Sequence, residues 1–148
     1  MELDEYILVV WQDAKNRIYK GYEGCRFHVF YHTFLNFCIN DLSALHLDVI
    51  KDRVYSYAPD SHQRRSAQTV LFQIAREMAV VMAPVLSFTA DEIWEYLPSW
   101  NGKCEFVFEE LFPEAEVHKD AALDAKFDKL LNLRKAVNKA LELSRASK

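Results

Sequence analysis

Glycine, proline and cysteine are all scarce in this sequence, which has three glycines, four prolines and three cysteines among 148 residues. Few turn-forming residues together with an apolar share of 51% exclude a disordered chain and favour a helical, globular one. Cys25, Cys38 and Cys104 lack CxxC spacing, so we expect free thiols rather than a disulfide framework, a redox motif or a zinc site. The length suits one domain that buries roughly two thirds of its unfolded surface.

Long apolar runs are missing too. The longest, at 78–86, falls far short of the roughly 20 residues of a membrane span, and no apolar leader precedes a cleavage site. We therefore expect a soluble, cytoplasmic chain without a membrane partner. The net charge is −4, with 13 basic and 21 acidic residues in 1–129 but five basic and one acidic in 130–148. An acidic chain is a poor autonomous nucleic-acid binder, because neutralising phosphates supplies most of such a protein's affinity.

Helical periodicity is the strongest positive signal, and it is clearest in and just before residues 36–55. It predicts the middle of one long helix with a broad apolar face. A helix that is apolar over most of its girth has to be surrounded, so we expect at least three other elements around it. The apolar positions are Phe27, Phe30, Phe34, Phe37, Leu42, Leu45 and Val49, with Tyr31, Leu35, Cys38 and Ile39 between them.

A first amphipathic helix is predicted before the long helix. Its apolar stripe covers residues 3–18, and Lys15 belongs to the polar positions that we place on the opposite face. Gly21 and Gly24 then indicate a tight turn that brings the chain back antiparallel into the long helix.

Two more helices are predicted after the long helix ends near residues 55–58. Asp60 or Ser61 caps the first of them, with Gln63 completing a capping box, and Pro84 ends or kinks it. Thr89–Glu92 forms a second capping box that starts a short helix closed before the next proline.

Residues 99–120 differ in kind, because Asn101, Gly102 and Pro113 interrupt them and acids dominate their charge. They predict a mostly irregular connector with one short extended piece over 106–108, its acids solvated and without partners. A last helix runs from residue 121 to the end. Its apolar stripe is Leu123, Phe127, Leu130, Val137 and Leu141. The whole predicts an all-α antiparallel bundle of about four to five helices in a single domain, 1–148, with core helices over 1–98, the connector over 99–120 and the last helix over 121–148.

No catalytic motif stands out. His28 and His32 are four residues apart, but Val29 occupies the position where an HExxH metal site has its glutamate, so we expect no metal and place both histidines toward solvent or RNA. A glycine-rich phosphate loop and a GxSxG elbow are also absent from the sequence. We expect no catalytic residue in this chain.

Five stretches, in chain order, resemble the anticodon-binding helical domain of isoleucyl-tRNA synthetase, a class I aminoacyl-tRNA synthetase. They are NFCINDLSALHLDVIKDRVY at 36–55, APDS at 58–61, RRSAQTVL at 64–71, APVLSFTADEIWEYLP at 83–98 and LRKAVNKALE at 133–142. The resemblance extends over about residues 3–146. NDLS, LD and KDR within the first stretch are most similar to the isoleucine enzyme, whereas the valine, leucine and methionine synthetases share a looser pattern.

The resemblance implies a module that binds the anticodon stem-loop of isoleucine tRNA within a ligase that attaches isoleucine in an ATP-dependent reaction. The HIGH and KMSKS signatures of that family's catalytic domain do not occur, so we expect a piece of a longer ligase with no cofactor of its own. ATP with magnesium would belong to the missing catalytic domain and any zinc to a missing C-terminal region. The implied partners are isoleucine tRNA and the remaining ligase domains, and we expect the chain to be a monomer.

Seven residues are candidates for tRNA contact, because amides can read base edges and cations can bind phosphates. They are Asn36, Asn40, Arg53, Arg64, Arg65, Arg134 and Lys135. Arginines 64 and 65 are misplaced with respect to the dipole of the helix that they begin, which favours an external anionic partner.

Each candidate also has a purely structural alternative. The asparagines can cap polar faces within the bundle, and Lys51 can pair with Asp48 along the helix. The cations between Arg134 and Lys148 can pack on a missing C-terminal region. The alternative function is a helical scaffold that only positions the catalytic and C-terminal domains, or the equivalent domain of a valine, leucine or methionine synthetase.

Overall fold

A computed structural model describes residues 1–115 and 120–146, and the described residues form helices and loops without a strand. The predicted all-α bundle is confirmed. Its elements are α1 (Glu2–Glu23), a continuous long helix made of α2 (Phe27–Asn36), a π-helical segment (Phe37–Leu47) and α3 (Asp48–Ser56), then α4 (His62–Met82), α5 (Ser87–Tyr96), a 3₁₀ turn (Val107–Glu109) and α6 (Ala121–Ala146).

The core forms where α1, the long helix and α4 pack together. The buried Asp4 carboxylate at the start of α1 accepts hydrogen bonds from Arg53 near the end of α3 and from Ser66 near the start of α4. The long helix is therefore antiparallel to the other two. The largest fully buried apolar side chains of this core include Ile7, Trp11, Ile18, Phe37, Ile74 and Trp94.

The long helix is covered on one side only, so the expectation that it is surrounded is wrong. Phe30, Phe37 and Ile50 are buried, whereas an apolar row on the opposite side is exposed. That row consists of Phe27, Tyr31, Leu35 and Ile39, spaced four residues apart. The prediction treated both sets as one broad apolar face, because it relied on apolar content and not on the angle of each residue around the helix axis.

The π-helical segment changes the register within the long helix. Its wider turns bring Leu45 and His46 to the buried side together, and the His46 ring is fully buried. Both of its ring nitrogens lack a hydrogen-bond partner among the described residues. Burial lowers the pKa of His46, with opposing contributions from Asp4, which raises it, and Arg53, which lowers it.

The turn between α1 and the long helix lies later than predicted. Gly21 is still helical, and a Cβ atom there would lie 3.1 Å from Cβ of Val29, so this glycine allows α2 to pack closely on α1. The turn itself is Gly24–Arg26, and Cys25 within it adopts a left-handed conformation with φ of 52°.

Neither of the two predicted capping boxes forms. Ser61 is the N-cap of α4 and its Oγ accepts a 3.3 Å hydrogen bond from the Arg64 amide, so Asp60 and Gln63 form no capping box. The short helix α5 begins at Ser87, two residues before Thr89, and its N-cap has no side-chain hydrogen bond. The predicted end of α4 just before Pro84 is confirmed.

The connector is attached to the bundle rather than solvated. Lys15, which was expected on the polar face of α1, is fully buried and donates to the carboxylate of Glu77 at 2.6 Å and to the carbonyl of Glu114 at 2.9 Å. Glu110 pairs with Arg76 at 2.5 Å, so the acids of the connector are not all without partners. Residues 106–108 contribute to a 3₁₀ turn instead of an extended piece, and Glu116 lies outside the described residues.

The last helix, α6, packs on the bundle only through its first half. Phe127 is buried and stacks on Tyr6 with ring centroids 4.0 Å apart. The predicted apolar stripe continues through Leu130, Val137 and Leu141, but these three side chains are about half exposed, and so are residues 135–146 generally. Residues 147 and 148 of the predicted helix lie outside the described part.

Candidate nucleic-acid interface

Three of the candidate arginines lie at one end of the bundle, where α1 begins, α3 ends and α4 begins. We call this region the basic end and define it by Arg53, Arg64 and Arg65. Arg53 is only 15% exposed, and its Nη1 donates at 3.2 Å to both oxygens of the buried Asp4 carboxylate. The same carboxylate receives Ser66 of α4, so this ion pair joins the three core helices at the basic end.

The other two arginines begin α4 and differ in how far they are engaged. Nη1 of Arg64 donates to the carbonyl of Tyr57 at 2.9 Å, which holds the guanidinium across the α3–α4 turn. Its Nε is buried and has no partner among the described residues. Arg65, by contrast, is exposed to solvent. A cation at a helix N-terminus opposes the helix dipole, so a bound anion would be stabilised here.

Arg134 lies on α6 beside the middle of the long helix, not at the basic end. Its Nη2 donates at 2.6 Å to the carbonyl of Ala44 in the π-helical segment and lies 3.9 Å from the Asp48 carboxylate. Arg134 and Arg53 line one groove of about 500 Å³ between the start of α1, the long helix and α6. The structure thus brings together two candidates that are 81 residues apart in the sequence. Lys135, which follows Arg134 in the chain, is exposed.

The two asparagines lie elsewhere, halfway along the long helix. Nδ2 of Asn40 donates to Oδ1 of Asn36 at 2.7 Å, so the two amides are hydrogen-bonded to each other. Both side chains are exposed, and Asn36 faces a shallow cleft shared with Arg17 and Asp41. The structure does not bring the asparagines to the basic end.

A pair of tyrosines at the basic end was not identified from the sequence. Tyr55 lies on the last turn of α3 and is 82% exposed, and Tyr57 in the following turn is 43% exposed. The only available signal was their position between the charged KDR motif and the two arginines. Lys51, one turn before Tyr55, forms the predicted intrahelical pair with Asp48 at 2.8 Å, and this hydrogen bond lowers the pKa of Asp48.

Exposed side chains of the basic end suit the binding of an anionic partner. Among residues 1–115 and 120–146, no group of three histidines, cysteines or carboxylates is placed to hold a metal ion, and His28 and His32 are both exposed. No helix in those ranges combines the length and the apolarity needed to cross a membrane. Exposed cations next to exposed aromatic rings are the features that bind phosphates and stack unpaired bases.

Comparison with known families agrees with this picture. The family model described as the anticodon-binding domain of tRNA ligase matches residues 4–148. The chain therefore belongs to the family of anticodon-binding domains of tRNA ligases, which confirms the resemblance noted from the sequence.

The similar proteins are isoleucine–tRNA ligases. The chain is 43% identical over 149 aligned positions to that of Syntrophotalea carbinolica, and 41% identical to those of Desulfitobacterium hafniense and Persephonella marina. The alignments cover 99–100% of this chain but only 16% of each relative. The chain thus spans about one sixth of the length of these relatives.

Proposed function

We propose that this chain is the module of an isoleucine–tRNA ligase that binds the anticodon stem-loop of isoleucine tRNA. The observation that carries the proposal is the family match over 4–148 together with 40–43% identity to isoleucine–tRNA ligases along the whole chain. The 16% coverage of those relatives supports a role within a longer ligase. The catalytic steps, with ATP and magnesium, would take place in other domains, and a zinc site would lie outside this chain.

The geometry supports phosphate binding at the basic end. The long helix has 30 residues and is roughly 45 Å long at 1.5 Å per residue, so its two ends can serve distant parts of a tRNA. At one end Arg64 and Arg65 lie on α4. Near the middle of the long helix Arg134 on α6 lies 3.9 Å from the Asp48 carboxylate, and the exposed Lys135 follows it in the chain. Cations from different helices at fixed separations can hold successive phosphates in register, which positions the RNA without reading its sequence.

The experiment is a titration of the chain with isoleucine tRNA and with the same tRNA carrying a changed anticodon, at about 50 and 200 mM salt. Several phosphate contacts should change the affinity by orders of magnitude between these concentrations. An R64Q/R65Q double variant should bind weakly and with a salt slope smaller by about 1 to 2. The control is Lys20→Gln, which removes an exposed cation at the opposite end of the bundle and should leave the affinity unchanged.

A preference for the native anticodon at both salt concentrations would mean that the bundle reads bases. Equal binding of both tRNAs would restrict its role to the phosphates of the stem. Absence of binding at low salt would contradict the proposal and favour the alternative, a scaffold that positions other domains. The net charge of −4 and the intramolecular partners of Arg53 and Arg134 are the observations that favour this alternative.

The chain acts as a monomer in the cytoplasm, where its tRNA partner is found, and sedimentation at several protein concentrations tests the first part. A mass that rises with concentration would contradict it, and the exposed row on the long helix, which includes Phe27 and Tyr31, would then be the first surface to mutate.

A further inference from the structure

We infer that Tyr55 forms a binding site for one unpaired nucleobase, which stacks on its exposed ring while neighbouring phosphates bind Arg64 and Arg65. The inference rests on the proposed function, because it assigns one contact within the same RNA-binding surface. It adds a residue outside the candidate set and a mode of binding, stacking, that the arginine positions do not require.

The first step is the exposure of the ring. Tyr55 is 82% exposed on the last turn of α3, so one face of the ring is open to a planar ligand without any movement of the bundle. An aromatic side chain that is left in water contributes nothing to the core. Base stacking on an aromatic ring is tolerant of sequence, since every base has a π-face.

The second step is the location. Two residues after Tyr55, the carbonyl of Tyr57 accepts the hydrogen bond from Arg64, which fixes the start of α4 against the turn that follows the ring. Arg65 is the next residue on α4 and is exposed. A nucleotide whose base lies on Tyr55 would therefore be at the same end of the bundle as two cations that can receive its phosphates.

The third step is the local charge, which favours a base over a phosphate on the ring itself. Lys51 lies one helical turn before Tyr55 and is already paired with Asp48. The pKa of Lys51 is raised, chiefly by that hydrogen bond, so its ammonium group is held by Asp48. Exposed Asp52 is three residues before Tyr55 on the same helix. These three charges sum to −1, so the immediate surroundings of the ring do not attract a phosphate.

The chain contains a matched control. Tyr96 is 81% exposed on the last turn of α5, so it has the same ring, exposure and position in a helix as Tyr55. Its own helix carries acids, including Glu92 and Glu95, and no basic residue. An RNA backbone would be repelled there, and substitutions of Tyr96 report what the loss of any exposed tyrosine does.

The test compares two RNA probes that differ in unpaired bases: a hairpin with the anticodon stem and loop of an isoleucine tRNA, and a blunt duplex of that stem with the same number of phosphates. Tyr55→Leu should weaken hairpin binding about five- to a hundredfold, the range for loss of one base–aromatic stack. Duplex binding and the salt slope should not change. Tyr55→Phe, which keeps the ring, and Tyr96→Leu should bind both probes as the unmodified chain does.

A fluorescent adenine analogue in the loop gives an independent readout, because stacking on an aromatic ring quenches it. The quenching on binding should disappear with Tyr55→Leu and persist with Tyr55→Phe. Unchanged hairpin affinity, or equal losses on hairpin and duplex, would overturn the inference. If the unmodified chain binds both probes equally, the inference fails while phosphate binding stands, and if it binds neither at low salt, the proposed function fails as well.

Discussion

The buried ion pair between Lys15 and Glu77 should be the most sensitive polar contact in this fold. The Lys15 side chain is fully buried, and its Nζ is 2.6 Å from Oε2 of Glu77 and 2.9 Å from the carbonyl oxygen of Glu114. The same carboxylate accepts hydrogen bonds from Trp11 at 2.8 Å and from Gln73 at 3.1 Å. Every polar group in this cluster depends on the others for its partner.

Removing one charge should therefore cost much more than removing both. Glu77→Gln leaves an ammonium group in the core, and Lys15→Met leaves a carboxylate that is 14% exposed, so each should cost about 3–5 kcal/mol of unfolding free energy. In the K15M/E77Q double variant the Trp11 hydrogen bond can persist, and the main remaining cost is the unsatisfied Glu114 carbonyl, about 1–3 kcal/mol. The sum of the two single-variant costs should thus exceed the double-variant cost by a coupling energy of more than about 2 kcal/mol.

Urea unfolding followed by tryptophan fluorescence and circular dichroism measures all four proteins of this cycle, and a shift in the midpoint with an unchanged slope identifies a stability effect. The matched control is Lys103→Met, which removes a half-buried lysine that donates to the carbonyl of Leu97 and faces no carboxylate in the described residues. Additive losses across the cycle, or a Lys15→Met cost below about 1 kcal/mol, would refute the reasoning, because the pair would then be hydrated in solution.

Three more predictions follow from individual residues. Stability should fall as the pH drops below about 6.5, by at most about 1.4 kcal/mol per pH unit. The cause is His46, whose pKa is lowered by burial in the folded chain, so the unfolded chain binds its proton first. His46→Leu should remove this slope in unfolding titrations. Cys25→Gly should raise the unfolding free energy by about 1 kcal/mol, since φ of 52° is strained for cysteine, whereas a loss would mean that the thiol is needed. Arg53→Met should cost about 3–5 kcal/mol because it strands the buried Asp4 carboxylate; Arg65→Met should change stability by less than about 0.5 kcal/mol, and equal effects would contradict the assignment of Arg53 to the core.

Local signals predicted the helices well and their partners poorly. Pro84 and the residues around Ser61 gave the end and the start of α4, because proline geometry and capping act within a few residues. Lys15 was misplaced because its partners are 62 and 99 residues away, and no local pattern encodes them. His46 was missed for a different reason: the π-helical segment changes the number of residues per turn, so counting at 3.6 assigns the wrong side chains to the core.

The cations of the candidate surface were predicted from the sequence, but the contact that Arg134 makes with the long helix was not. Arg53, Arg64 and Arg65 were selected because they cluster around the predicted turn between the long helix and the next helix, and the structure does place them at one end of the bundle. That Arg134 contacts the long helix at Ala44 depends on how α6 packs, which the sequence did not predict. Exposed Tyr55 carries no periodic signal, since a lone aromatic residue at a helix end fits a core position equally well before the packing is known.

Intramolecular hydrogen bonds do not by themselves remove the candidate arginines from RNA binding. A guanidinium group has five N–H donors, and the contacts of Arg64 with Tyr57 and of Arg134 with Ala44 each use one terminal nitrogen. Such contacts fix the position of the charge before any RNA arrives, which reduces the entropy lost on binding. Arg53 differs, because its hydrogen bonds go to a buried carboxylate that neutralises it. Burial of the acceptor carboxylate therefore separates Arg53, which holds the helices together, from Arg64, whose acceptor is a neutral carbonyl, and from Arg134, whose neighbouring Asp48 carboxylate is half exposed.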